Sequence, residues 1–487
     1  MRSPRLLLAF ETALAAAAGL LFLGSKGFSG DESVSVTLAR LPWHELRHFV
    51  ARRETNGSLY FTLLHALTGG RGGESAIRAV SVACAILAVP VLFLLARRLF
   101  GTRIALVAGL LLALDPLEVE YSQVAREYML AVLLVLVSTY LFVRGVQDRS
   151  PWAWAGYSIV SALAAYAFLL SAAVPAAHAL SLAALPRERV PWRQWGAAAA
   201  GAGALLIPLV VLLAGSEASG GIAWASGNLP GRIVVSLRSG IPRPVVSAVV
   251  LVVTAAVAFV AWRALERLAG NERAWPIVLV AAWLLVPSVL VVAAGFVYQP
   301  LFVVRYFLVF SPPLVIGAAA VLARLRGPVA LAAAGASVAL VAGVGLAHWY
   351  SGSAGSDFRS ASAYVEAGAR PGDGVLIYAP YVRVPFELYF ERTAAAKSGA
   401  VRPVYPPTPW GRDPARFIQF VPMRRASVAQ ALAGYRQVWL VLAQYRLYGR
   451  GDPGYDNVVA ALSSRGLRLT ARRSFPGVEV RRYEAPS

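Results

Sequence analysis

Charge is scarce in this sequence: only 15% of its 487 residues are Asp, Glu, Lys or Arg. A soluble domain of this length would carry roughly a quarter, so water is excluded as the solvent for most of the chain. Acidic residues are scarcer still, 25 against 46 basic ones, which leaves a formal net charge of +21. No recognisable nucleic-acid-binding module accompanies that charge, so it does not point to DNA or RNA. Cys84 is the single cysteine. An internal disulfide is therefore impossible, and its place within an apolar run suits a small core side chain. A strong internal repeat is also missing, as are Gly/Pro-broken helices in corresponding positions of two halves, a common mark of transporters.

Apolar surface is abundant: 58% of the residues are hydrophobic and the mean hydropathy is +0.60. Runs such as "LLLAFETALAAAAGLLFL", "AVSVACAILAVPVLFLLA", "YMLAVLLVLVSTYLFV" and "IVLVAAWLLVPSVLVVAAGF" approach the ~20 residues that span a bilayer. The pattern predicts an all-α polytopic membrane protein with about 11 transmembrane helices. The first ends near Gly24, and the others lie near 76–96, 104–120, 129–144, 154–169, 171–186, 196–214, 245–262, 276–296, 306–322 and 329–347. The N-terminus has a basic start but no convincing small-residue cleavage site, so it is kept as the first span. Arginines cluster in breaks such as "ARRLFGTR", "LPRERVPWRQ" and "WRALERLAGNER", which alternate with loops poorer in Arg. Positive charge marks the cytoplasmic side, so the N-terminus is inside and an odd helix count puts the C-terminus outside. Residues 25–75 and 215–244 become outer loops. The transmembrane domain covers 1–347.

From His348 the composition turns soluble, and 348–487 reads as a small extracytoplasmic α/β domain. "SDFRSASAYVEAGARPGD" has the signals of a capped helix. "GVLIYAP" and "QVWLVLA" read as short buried strands, and "LRLTARRSFPGVEVRRYEA" as a hairpin with a Pro-Gly turn.

The first outer loop is the richest in polar signals. Ser29-Gly30-Asp31-Glu32 fits a capping box, in which Glu32 reaches back to the cap, and both acids favour the helix dipole. Val34, Leu38 and Leu41 then share a face, as do Trp43, Leu46, Phe49 and Val50 in "WHELRHFVARRE". Two amphipathic helices at the membrane interface follow from that spacing; plugging the top of the bundle fits equally well. His44-Glu45-x-x-His48 matches a zinc-protease pattern. A catalytic zinc needs a third protein ligand, none follows, and a surface helix explains the histidines better. In "LDPLEVEYSQVAREYML", Asp115, Glu118, Glu120, Arg126 and Glu127 crowd a membrane boundary, where ionisable groups are costly and default to functional candidates; snorkelling to water or mutual pairing explains them as well. Arg305 in "PLFVVRYFLVFSPPL" could bind a lipid phosphate through its planar fork or anchor a helix end.

Together these stretches resemble bacterial polyprenyl-phosphate-sugar-dependent glycosyltransferases of the glycosyltransferase-C fold, a group that includes protein O-mannosyltransferase-like and aminoarabinose-transferase-like enzymes. "GDESVSV" looks like the family's acidic motif, "NGSLYFTLLHAL" like its "PPLYY-LLH" segment, and "YSQVAREYML" like "YSQEARMY". "VVRYFLVFSPP" and "DFRSASAYVEAGARPGDGVLIYAP" follow in the expected order. Val124 stands where the family usually has Glu, Asn56-Gly57 replaces a proline pair, and Phe168 replaces a frequent His.

The resemblance implies an inverting transfer from a polyprenyl-phosphate-linked sugar to an acceptor hydroxyl, on the outer face of a bacterial inner membrane. It makes Asp31 the base, with Glu32 as support or alternative. It makes Arg126 and Arg305 donor-phosphate binders, with Tyr121, Gln123, Tyr128, Tyr306, Asn56 and Tyr60 shaping the pocket. The implied partners are the lipid donor, membrane lipids and a periplasmic glycan, lipid or protein acceptor, with no nucleic acid. No cofactor is certain; a divalent metal is a candidate, with Glu118, Glu120, His44 and His48 as its candidate ligands. A lipid or sugar transporter or flippase is the alternative class, and a zinc protease a weaker one.

Overall fold

A computed structural model describes residues 4–215, 274–297, 304–352, 355–378, 382–412, 423–443 and 453–486. The expected outer loop 215–244 lies outside the described residues apart from Gly215, and so does the span expected at 245–262. The chain divides into two units, one made of 1–21, 42–63 and 78–348, the other of 22–41, 64–77 and 349–487.

Helices build the first unit: α1 (Pro4–Leu20), α3 (Trp43–Arg52), the start of α4 (Ser58–Thr68), most of α5 (Glu74–Phe100), α6 (Thr102–Leu114), α7 (Pro116–Ser122), α8 (Tyr128–Asp148), α9 (Pro151–Ala167), α10 (Val174–Ser181) and α11 (Trp192–Ala214). The helices Trp275–Val297, Ser311–Leu322 and Pro328–Ser351 follow. Among the described residues, six helices are long and apolar enough to cross a membrane. The third expected span is cut short. Asp115 ends α6, Pro116 supplies the preset φ of a first helical turn, and the Asp115 carboxylate accepts from Leu117 N at 2.9 Å to start α7. The sixth is broken as well, with 3₁₀ turns at Leu169–Ala173 and Leu182–Ala184 flanking α10.

In hydrocarbon, buried polar groups must find partners inside the protein, and His178 is one that does. His178 stacks on Phe142 at 4.6 Å and lies 3.1 Å from both Thr139 Oγ1 and the Tyr157 hydroxyl. Gly145 lets α8 and α9 approach, since a Cβ there would meet the Trp154 ring at 2.6 Å.

The second unit holds a five-stranded sheet in the order β2-β1-β3-β5-β4. β1 (Gly374–Ile377) runs parallel to β2 (Arg402–Tyr405) and β3 (Gln437–Ala443); β5 (Val478–Glu484) runs antiparallel to β3 and to β4 (Arg468–Phe475). β1 and most of β3 are buried, as their unbroken apolar runs require. The expected helix is Phe358–Gly368, with Asp357 accepting from Ser360 N at 3.0 Å. The same unit contains α2 (Gly30–Arg40). α2 is not an interfacial helix with one wet face. Ser33, Ser35, Val36, Thr37, Leu38 and Ala39 are all buried, because short side chains let neighbours pack on several sides. α3 does keep two faces, with Leu46 and Phe49 buried while Arg47, His48 and nearly half of Trp43 are exposed.

Candidate active site

The candidate residues form two clusters, one in each unit. In the second unit, α2 starts with a complete capping box. Ser29 Oγ accepts from Glu32 N at 3.3 Å, and Glu32 Oε2 accepts from Ser29 N at 2.8 Å. Glu32 is 1% exposed, and its Oε2 serves the cap. Asp31, one residue earlier in the same first turn, is exposed. The box therefore separates two adjacent acids: one shapes the backbone, and the other presents a carboxylate outside the packed helix.

In the first unit, the α7–α8 junction carries the second cluster. Arg126 pairs with its neighbour Glu127 through two contacts, Nε to Oε2 at 2.9 Å and Nη2 to Oε1 at 3.1 Å. Mutual pairing, the plainer reading of these charges, is thus realised for Arg126 and Glu127. Glu127 is buried, and Arg126 Nη2 donates to its Oε1, so a carboxylate holds the guanidinium in place. The guanidinium also lies 5.6 Å from the Phe61 ring centroid. The Tyr60 hydroxyl is 3.0 Å from Ser81 Oγ, which donates to the Arg126 carbonyl at 3.2 Å. Tyr60 and Ser81 thereby hold the Arg126 backbone. Ser81 and Phe61 were hidden in the sequence because each looks like ordinary filling of an apolar helix.

Two pocket candidates are fasteners. Gln123 Nε2 donates to the carbonyls of Gly19 and Leu21 at 2.9 and 2.7 Å, closing the C-terminal end of α1. Asn56 Oδ1 accepts from Leu169 N at 2.9 Å and so anchors the turn after α9. Gly57 has φ +81°, and a Cβ there would sit 3.3 Å from the Phe61 ring and 3.4 Å from Glu127 Oε2. Glycine at this position lets the chain pass close to the Arg126–Glu127 pair.

The remaining candidates meet as an aromatic wall. Tyr121 meets Tyr128 edge-on at 5.4 Å, Tyr128 meets Phe168 at 5.9 Å, and Phe168 meets Tyr306 at 5.6 Å. The Arg305 guanidinium lies 5.8 Å from the Tyr306 ring. Phe168, seen in the sequence only as a replacement, is the link of this chain. An open cleft of about 440 Å³ in the same unit is lined mainly by Leu46, Val50, Leu59, Leu163 and Leu212, with Arg47 beside them.

The acids and histidines do not converge. Among the described residues, no group of three or more His, Cys, Asp or Glu side chains is placed to hold a metal. His44, Glu45 and His48 are exposed on α3, with His44 Nε2 3.7 Å from Glu45, so the zinc-protease pattern is a surface feature. Glu118 is buried, and Ser311 Oγ lies 2.6 Å from its Oε1 and 2.7 Å from the Leu308 carbonyl. Burial pushes the Glu118 carboxyl up to about 8, with nearby Asp115 adding to the shift. Glu120 is half-buried in the same helix.

Residues 57–213 match the family model described as dolichyl-phosphate-mannose-protein mannosyltransferase. No curated protein sequence matches. Among solved structures, the chain is similar to ArnT from Cupriavidus metallidurans bound to undecaprenyl phosphate, with a TM-score of 0.57 and 15% identity over 97% of each chain. It is also similar to the archaeal oligosaccharyltransferase AglB from Archaeoglobus fulgidus, in complex with an inhibitory peptide and a dolichol-phosphate. That likeness has a TM-score of 0.56 and 12% identity, over 98% of this chain and 74% of that one.

Proposed function

Given a chain with the glycosyltransferase-C fold, we propose that it is an inverting glycosyltransferase using a polyprenyl-phosphate-linked sugar at the outer face of a bacterial inner membrane. The observation that carries this reading is the division of labour at α2: Glu32 is buried and serves the cap, and Asp31 stays exposed at the same helix start. An acceptor hydroxyl attacks the anomeric carbon, the bond from that carbon to the phosphate oxygen breaks, and polyprenyl phosphate leaves with the electron pair. Asp31 takes the hydroxyl proton as general base. Arg126, paired with Glu127, and Arg305, beside the aromatic wall, offset charge on the leaving phosphate. Tyr121, Tyr128, Phe168 and Tyr306 supply flat apolar surfaces for sugar or lipid. The apolar cleft beside Arg47 suits a lipid chain. The domain division at residue 348 is part of the same proposal, with 348–487 on the outer side.

The test uses the full chain in proteoliposomes of bacterial envelope lipids, which supply acceptors, with isotope-labelled sugars on undecaprenyl phosphate. The account expects release of undecaprenyl phosphate and a product with inverted anomeric configuration by NMR. Passage of intact donor across the bilayer without cleavage would instead make the chain a flippase.

A further inference from the structure

The backbone just before Asp31 is gripped by side chains from the C-terminal part of the sequence. Arg359 donates to the carbonyls of Ser25 and Lys26 at 3.3 and 3.1 Å, and reaches that of Gly24 at 3.4 Å. The Tyr389 hydroxyl accepts from Phe28 N at 2.6 Å and donates to Glu74 Oε1 at 2.8 Å. Glu74 in turn forms an ion pair with Arg359. Consecutive peptide groups leading into the Ser29 cap are thus tied to one three-residue network. Gly27 permits the close approach, since a Cβ there would lie 3.3 Å from the Tyr389 hydroxyl. The far end of α2 is tied too: Arg40 pairs with Glu391 at 2.8 Å and donates to the Gly70 carbonyl at 3.0 Å. Tyr389 and Glu391 are two residues apart, one at the end of the helix Arg383–Phe390 and one just after it.

We propose that Tyr389, Glu74 and Arg359 are positioning residues for Asp31, through which the C-terminal domain sets the orientation of the catalytic base. This rests on the reading of Asp31 as base. The network has no direct contact with the reacting atoms. It fixes the turn that enters the cap, and the cap fixes the first turn of α2 on which Asp31 sits. Small errors in the placement of a base are expensive, about a hundredfold for an ångström. Burial holds the Tyr389 phenol above its ordinary pKa, so it remains a donor to Glu74 throughout the working pH range. Phe28 is buried in this loop, but Asp31 itself stays exposed, so burial alone does not set the orientation of its carboxylate. The backbone ties act together with that burial and with the cap.

Tyr389→Phe tests this, because the ring keeps its place 6.4 Å from the Phe28 ring while both hydroxyl bonds vanish. Glu74→Gln is the second variant, which retains an acceptor for Tyr389 and removes the charge. Each is measured as the full chain by hydrogen–deuterium exchange and by turnover. The donor is whichever of mannosyl, glucosyl or arabinosyl undecaprenyl phosphate the unsubstituted chain uses. In Tyr389→Phe, exchange at the Phe28 amide should rise about tenfold or more, with protection of β1 and β3 unchanged. Turnover kcat should fall by about tenfold or more with the donor KM held, and Glu74→Gln should show a smaller change in the same direction. Unchanged Phe28 exchange overturns the proposal, and so does faster exchange with unchanged kcat. A fall in kcat accompanied by lost protection across the sheet makes Tyr389 a folding residue and overturns it too. Asp31→Asn in the same assay separates the two claims: full activity there sinks the base itself. Activity lost in Asp31→Asn but kept in Tyr389→Phe sinks only the positioning role.

Discussion

Ser311 has one hydroxyl proton and two acceptors within 2.7 Å, the Glu118 carboxyl and the Leu308 carbonyl. One proton cannot serve both. A protonated Glu118 can donate to Ser311, which leaves the Ser311 hydroxyl proton for the Leu308 carbonyl. Burial pushes the carboxyl up to about 8, with Asp115 adding to the shift and a hydrogen bond from Ser311 opposing it. Between its ordinary range and that value the folded chain binds a proton that the unfolded chain releases. Stability from this residue is therefore fully present at acid pH and is lost as pH rises toward and through 8. Glu118→Gln, which keeps a neutral hydrogen-bonding group, should flatten that dependence. Thermal unfolding at pH 5.5 and pH 8 checks it; an equal pH slope in the variant would mean that Glu118 is already ionised at the lower pH. The sequence marked Glu118 as an unusual acid but could not show its partner, which lies 193 residues away. Arg126 was marked for the same reason, and its partner Glu127 was adjacent and legible.

Elements were legible where their causes are local. The Ser29–Glu32 capping box needs four residues, and all of them could be read. The hairpin of β4 and β5 follows from Pro476-Gly477 between two alternating runs, and Gly477 takes φ +62°. β2 was missed because Pro403 argues against a strand. It is tolerated there because β2 lies at the edge of the sheet. The burial of α2 was missed for a different reason: its serines and threonine read as a wet face until other chain segments covered them. Packing also explains Arg383, which is fully buried yet charged. It pairs with Glu387 at 2.7 Å, donates to the carbonyls of Pro406 and Pro409, and faces the Trp410 ring at 4.9 Å. Arg383→Met should cost about 3–5 kcal/mol, since it strands a buried carboxylate. Replacing both, Arg383→Met with Glu387→Leu, should recover much of that. Amide exchange across β1 and β3 reads both variants, and equal losses would show that the carboxylate is not the source of the cost.

At the scale of the whole molecule, scarcity of charge and long apolar runs were enough to establish a polytopic membrane protein. Periodicity could not divide the third expected span at Asp115, nor break the sixth around α10, because apolar composition continues through both interruptions. Composition likewise drew a boundary near residue 348. The contacts break at the same point and also place 22–41 and 64–77 in one unit with 349–487, an association that no local pattern announces. It gives the acidic loop its backbone ties and leaves Asp31 exposed at the start of a buried helix. The central claim is that this carboxylate is the base of a sugar transfer. Its most direct test is the initial rate of transfer from an undecaprenyl-phosphate-linked sugar by Asp31→Asn, beside the unsubstituted chain in the same vesicles. The account predicts a fall of about 10²–10⁴-fold with the fold and donor binding intact. A rate within about twofold of the unsubstituted chain, far inside the range expected for a lost general base, would contradict it.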